Sequence, residues 1–159
     1  MSLKVVFDTN IFISAFVIPG SKAEAAYSYA LRGNFTLYSS VAILTETAQK
    51  LREKFGWEQD KITSLLKAIA KVAIVIKTKP HLHLLADEPD NRVLECAEAI
   101  GADFIVTGDK HLLILKRFQN SHIVRLSDFL KRSCSNEIQV NYPAASCGAS
   151  NSLKNFPPP

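Results

Sequence analysis

Five short apolar runs, separated by stretches of helical periodicity, constrain this chain more than any other feature. They are Val5-Val6-Phe7, Phe35 to Tyr38, Ala73 to Ile76, Phe104 to Val106, and Ile123 to Val124. Several are apolar throughout instead of alternating, as expected of parallel strands covered on both faces. Between them lie helical patterns at Ile11 to Val17, Ala23 to Arg32, Val41 to Phe55, Glu58 to Val72 and Asn91 to Ile100. A short one follows Asp109 and a last one spans Ser127 to Lys131. Two helical segments follow each of the first two strands. This alternation implies an α/β fold: a three-layer α/β/α sandwich around a central five-stranded, mainly parallel sheet with right-handed crossovers. Open sheets of this kind bind ligands beyond the carboxyl ends of their strands, so polar residues at those ends are the first candidates for a site.

A length of 159 residues with 47% hydrophobic and 21% charged residues suits one globular core and argues against a disordered or fibrous chain. The composition changes near Ser133. Glu137 and Lys154 are the only charges of the last 27 residues, which are rich in Ser and Asn and end in Pro157-Pro158-Pro159. The expected organisation is a domain over residues 1–132 and a tail over 133–159 without chemistry of its own. The longest apolar segment, Ile11 to Ile18, falls well short of the roughly 20 residues of a membrane helix. With Asp8 and Asn10 at its start and only Lys4 before it, it is also a poor secretory signal. Cys96, Cys134 and Cys147 are odd in number and lack metal-ligand spacing, so a reducing, cytoplasmic location is expected.

Three aspartates fall where such a sheet would place a site. Asp8 directly follows Val5-Val6-Phe7, and Asp109 follows Phe104-Ile105-Val106 after Thr107 and Gly108. Capping of the next helix accounts for either one taken singly. Asp90 follows Pro89 at a helix entrance, where the helix dipole alone would favour an acid. It also shares the stripe of Val93, Leu94, Ala97 and Ile100, which should face the sheet. Asp87, three residues earlier, is the alternative acid at that entrance. Glu46 falls nearly opposite the apolar stripe Val41, Leu44, Ala48, Leu51 and Phe55, so its own helix does not bury it. Carboxylates converging on one small site repel each other unless a cation is present. A set made of oxygen ligands favours Mg²⁺ or Mn²⁺ over zinc. His81 and His83 lack the partners of a zinc site and are read as structural or solvent-exposed.

Val5-Val6-Phe7-Asp8-Thr9-Asn10, then Leu44-Thr45-Glu46, then Asp90 to Ala97, then Val106-Thr107-Gly108-Asp109 resemble, in this order, the motifs of PIN-domain nucleases. The resemblance covers about residues 3–131. Around Asp90 and in Thr107-Gly108-Asp109-Lys110 it is closest to the VapC-like toxin components of toxin-antitoxin pairs. It implies a PIN-like sheet of order 3-2-1-4-5, with Asp8, Glu46, Asp90 and Asp109 as the catalytic, metal-holding quartet and Asn10 and Thr107 in support. It raises Glu46 despite the helical-wheel objection, because an outward face can border a groove.

The resemblance further implies a metal-dependent endoribonuclease that hydrolyses single-stranded RNA with Mg²⁺ or Mn²⁺. A cognate antitoxin and a homodimer are its expected partners. The chain carries a net charge of +4, and setting the −4 of the quartet aside leaves +8 to attract a phosphodiester backbone. Lys50, Arg52, Lys54, Lys110, Lys116 and Arg117 are candidates for RNA contact, against the ordinary fate of such residues as solvated surface. Two other readings stay open. A noncatalytic PIN-like module could bind RNA or protein, although it would have no need of mutually repelling acids. An aspartyl-phosphate phosphatase would use a strand-end Asp as nucleophile, but typically with a second Asp where this chain has Asn10.

Overall fold

The computed structural model describes residues 2–135. Apart from the last turn of the final helix, the tail expected over 133–159 lies outside the described residues. In chain order the elements are β1 (Lys4–Phe7), α1 (Thr9–Val17), α2 (Lys22–Leu31), β2 (Thr36–Ser40), α3 (Val41–Phe55) and α4 (Gln59–Val72). There follow β3 (Ile74–Ile76), α5 (Glu88–Ile100), β4 (Phe104–Val106), α6 (Lys110–Leu113), β5 (Arg117–Phe118), β6 (Ser121–Val124) and α7 (Leu126–Ser135). Each of the five expected strands and seven expected helical segments has its counterpart.

The sheet order is β3-β2-β1-β4-β6-β5. Its five parallel strands follow the expected order 3-2-1-4-5, and the difference is a sixth strand at the edge. β5 is two residues long and pairs antiparallel with β6, Arg117 opposite His122 and Phe118 opposite Ser121. Lys116 and Gln119, with φ of 60° and 52°, bend the chain on either side of it. A two-residue strand carries no periodicity, which is why the sequence pattern shows five.

β1 is central, paired in parallel with β2 on one side and β4 on the other. It is also the point at which strand order reverses: the chain builds outward through β2 and β3, then crosses back through α5 to β4. Phe7 lies beside Val106, and the ladder continues past both strands, since the Asp8 amide donates to the Val106 carbonyl (3.0 Å) and the Thr107 amide to that of Val124 (3.0 Å). Asp8 and Thr107 are thereby held at the sheet's carboxyl edge by main-chain bonds before their side chains do anything.

The helices have identifiable ends. Ser21 caps α2 by accepting from the Glu24 amide at 3.1 Å, and Ser40 caps α3 by accepting from the Ile43 amide at 3.2 Å. Gly56 and Gly101 close α3 and α5 in the left-handed region (φ 64° at both), which other residues enter at a cost. On one face of the sheet, Phe7, Phe35 and Phe104 gather around Phe129 of α7, with ring centroids 6.4, 5.2 and 5.8 Å away. Phe12 of α1 packs on Phe7 at 5.7 Å. The edge-to-face geometry is the one that aromatic quadrupoles favour.

The connection over residues 77–87 would be loose without α5. Glu95, 1% exposed, accepts from the main-chain amides of His81 (2.6 Å) and Leu82 (2.8 Å), while Arg92 Nε lies 2.8 Å from its other oxygen. Asn91 accepts from the Leu85 amide (2.9 Å) and donates to the Leu85 carbonyl (2.8 Å). This buried network fastens the loop that leads into Asp87 and Asp90. Among the described residues, no helix is long and apolar enough to cross a membrane.

Phe129 is fully buried at the centre of the aromatic cluster. Its replacement by Ala should therefore cost about 3–5 kcal/mol, the usual penalty for removing a core aromatic. Urea denaturation of both proteins measures the difference, and a change below about 1 kcal/mol would contradict this description of the core.

Candidate functional site

Asp8 is 5% exposed and caps no amide further into α1, so the capping explanation fails for its carboxylate. Its Oδ2 instead accepts a 2.8 Å hydrogen bond from the Thr107 hydroxyl, across the carboxyl ends of β1 and β4. The same hydroxyl oxygen accepts from the Asp109 amide at 3.0 Å, so Thr107 links the two acids. Burial raises the Asp8 pKa above the usual carboxylate range, and the charge of Asp109 adds to this. The Thr107 hydroxyl, the Thr9 amide and the Lys50 charge oppose the rise.

For Asp109 the capping explanation holds in part. One of its oxygens accepts from the His111 amide at 2.7 Å and thereby caps α6. The His111 ring lies close as well, with Nδ1 3.3 Å from that oxygen.

Asp90 is the least satisfied acid. It is 3% exposed, on the buried face of α5 as its stripe predicts, and its Oδ2 finds no hydrogen-bond donor among the described residues. Its pKa is pushed up to about 7, first by burial and then by the charges of Asp109, Asp8 and Asp87, with His111 opposing. A buried, unpartnered carboxylate oxygen is expensive for a fold to keep. One ligand atom each from Asp90, Asp109 and His111 lie within 4.8 Å of one another. The set fits a divalent cation: carboxylates that burial and mutual repulsion disfavour, with an oxygen left free to coordinate one.

Glu46 is half-buried on α3, on an outward face that borders a groove lined by none of the three aspartates. Thr9 of α1 and Glu88, Pro89 and Arg92 of α5 are among the residues that line it opposite α3. Lys50, one turn further along α3, lies 3.5 Å from Glu46 and donates to Asn10 Oδ1 at 3.3 Å. Glu46 and Asn10 therefore meet through Lys50, whose charge also reaches Asp8.

The other basic candidates are spread out. Lys110 is exposed beside Asp109. Arg52 donates to Gln59 at 2.8 Å, and Lys54 is exposed near the end of α3. Lys116 and Arg117 belong to the β5 hairpin, where Arg117 opposes His122, itself level with Phe104 at the start of β4 and not with the acids at its end. The Asp87 side chain does not cap α5, and it acts on Asp90 through its charge. His81 contacts Glu98 at 2.8 Å and His83 contacts Glu88 at 3.4 Å, and neither joins a metal-ligating group among the described residues.

The family model of the PIN domain matches residues 4–111, a span that contains every acid of the cluster. The chain belongs to the PIN-domain family. A protein known as Uncharacterized protein MJ1680, from Methanocaldococcus jannaschii, is 31% identical over 121 residues, covering 73% of this chain and 77% of its own. Among solved structures, a chain in the crystal structure of VapBC2 from Rickettsia felis, bound to a DNA fragment from their promoter, shares the fold. Its TM-score is 0.58 at 15% identity, over 77% of this chain and 98% of that one. As a PIN domain, this chain has its acids at the carboxyl edge of β1 and β4 and at the entrance of α5.

The sequence pattern misses His111. Its signal is its place two residues after Asp109, so that a one-turn helix brings the ring back over the capping acid. The pattern also passes over Asn91, Arg92 and Glu95, whose polarity within an otherwise apolar helix face was available as a sign of a buried network.

The raised Asp90 pKa makes a signed prediction for the metal-free protein. A carboxyl near 3.8 when unfolded and about 7 when folded contributes stability that is fully present below the lower value and lost as pH rises through the upper. In EDTA, Asp90→Asn should therefore be more stable than wild type at about pH 8, with the advantage shrinking as pH falls toward about 4. Urea denaturation across this range tests it, and an advantage that does not change with pH would contradict it.

Proposed function

We propose that this PIN domain is a metal-dependent endoribonuclease, in which Asp8, Asp90 and Asp109 hold Mg²⁺ or Mn²⁺ and Glu46 completes the acidic quartet. The observation that carries the reading is the buried Asp90 Oδ2, without a donor among the described residues, on an acid grouped with Asp109 and His111 and within reach of the charges of Asp8 and Asp87. A noncatalytic module would gain from neutralising such a residue, and this chain keeps it.

When bound, a divalent cation lowers the pKa of adjacent water and stabilises the charge that develops on the phosphate. The protein's own part is positional. Thr107 fixes Asp8 Oδ2 through its hydroxyl and orders the Asp109 main chain through the same oxygen. Asn91, Arg92 and Glu95 hold the loop before Asp90, so this acid enters the site from a fixed helix. Lys50 balances part of the negative charge and stands where a phosphodiester would approach Asn10 and Glu46. Lys110, exposed at the rim, can meet the backbone of the same strand. The carboxylates act as holders of charge and not as nucleophiles.

Single-stranded RNA is the substrate we assign, because separate bases can spread over an open groove while the phosphate enters the acidic site. The toxin role rests on the resemblance of the Asp90 and Thr107-Gly108-Asp109-Lys110 stretches to VapC-like toxins and on the fold shared with the VapBC2 chain. In that role a small antitoxin would cover the acidic groove, and two copies of the chain would pair.

Purified protein incubated with mixed cellular RNA and Mn²⁺ should yield fragments, and EDTA should abolish them. Asp8→Asn and Asp90→Asn should each lower cleavage by about 100-fold or more, since each removes transition-state stabilisation of several kcal/mol. Fragments read on a gel decide this. Full activity in either variant, or RNA binding indifferent to EDTA and to both substitutions, would replace the nuclease by a binding module.

A further inference from the structure

We propose that His111 is a nitrogen ligand of the cation held by Asp90 and Asp109, and that it makes this site favour Mn²⁺ over Mg²⁺. The inference rests on the metal site proposed above and deepens it by naming a ligand that the acidic quartet does not include.

A ring nitrogen of His111 lies within 4.8 Å of ligand oxygens of both Asp90 and Asp109. The second observation is the Asp90 oxygen itself, nine-tenths buried and without a donor, on a residue that belongs to this same group. Capping does not explain the imidazole. It is the main-chain N–H of residue 111 that donates to Asp109, at 2.7 Å, and an alanine there would donate equally well. An ion pair with Asp109 does not explain it either. The ring side chain is 75% exposed, and an exposed pair at 3.3 Å contributes little. The other histidines are engaged elsewhere: His81 with Glu98, His83 with Glu88, and His122 against the Phe104 ring.

The ligand set decides the metal. Mg²⁺ keeps to oxygen ligands, gives up its waters reluctantly and gains little from an imidazole. Divalent transition ions gain from nitrogen donors, increasingly along the series that begins with Mn²⁺. The carboxylates serve both ions, whereas the imidazole raises Mn²⁺ affinity and leaves Mg²⁺ affinity almost unchanged. Loss of a group that merely supports a metal ligand costs about 10–100-fold in affinity, so loss of the ligand itself should cost at least about tenfold.

The test uses the full chain loaded with Mn²⁺ and examined by pulsed electron paramagnetic resonance. Wild type should show a ¹⁴N modulation from a coordinated imidazole, and His111→Ala should lose it. Calorimetric titration should show Mn²⁺ affinity lower by about tenfold or more in His111→Ala, with Mg²⁺ affinity within about twofold of wild type. Circular dichroism checks that the variant is folded, as an exposed substitution that keeps the cap should be. Mn²⁺ bound without a ¹⁴N signal overturns the proposal, as does an equal loss of Mn²⁺ and Mg²⁺ affinity. Nitrogen-coordinated Mn²⁺ in a protein that cuts no RNA would refute the ribonuclease and leave this ligand standing. RNA cleavage without nitrogen coordination would do the reverse.

Discussion

The parallel pairing of β1 with both β2 and β4 is the constraint on which the rest of this molecule depends. It makes β1 the point where the order of strands reverses, and the carboxyl edge at such a point is where open sheets of this kind take their ligands. Asp8 and Thr107 are carried one residue past the strands by the same main-chain ladder, and their side chains meet across the gap at 2.8 Å. Because the crossover from β3 back to β4 runs through α5, the N-terminal turn of that helix arrives at the same edge with Asp90 on its buried face. Three distant segments are thereby brought together by topology, without a special loop to assemble them.

What the topology assembles is electrostatically unfavourable. Burial disfavours the charged form of both Asp8 and Asp90, and the charge of Asp109 adds to this at each of them. Thr107, the Thr9 amide and Lys50 relieve Asp8, and His111 relieves Asp90. Such strain is tolerable when a cation completes the site and wasteful otherwise. The surrounding scaffold is correspondingly stiff: the phenylalanine cluster beneath β1 and the Asn91, Arg92 and Glu95 network leave the acids little room to move apart.

Much of this was legible in the sequence, for physical reasons that differ from residue to residue. Several of the parallel strands, β1 and β4 above all, are apolar on both faces, so they stand out as uninterrupted runs. Asp90 was legible because an acid on a core-facing stripe contradicts the pattern around it. Asp8 and Asp109 could equally have been caps, and only the structure separates them: Asp109 does cap a helix, whereas the Asp8 carboxylate bonds across the sheet instead. Glu46 escaped the helical period because that period describes α3 alone, whereas the groove wall opposite belongs to α1 and α5. His111 and β5 escaped for want of length, since neither one helical turn nor a two-residue strand leaves a repeating signal.

The central claim is that these converging acids are a cation site. Anomalous diffraction from crystals grown with Mn²⁺ tests it most directly, because the ion locates itself independently of any activity. A single strong peak bounded by the carboxylates of Asp90 and Asp109, with Asp8 at its edge, is the result the account predicts. Carboxylates that stay where they are with no peak among them, in crystals grown with millimolar Mn²⁺, would contradict it.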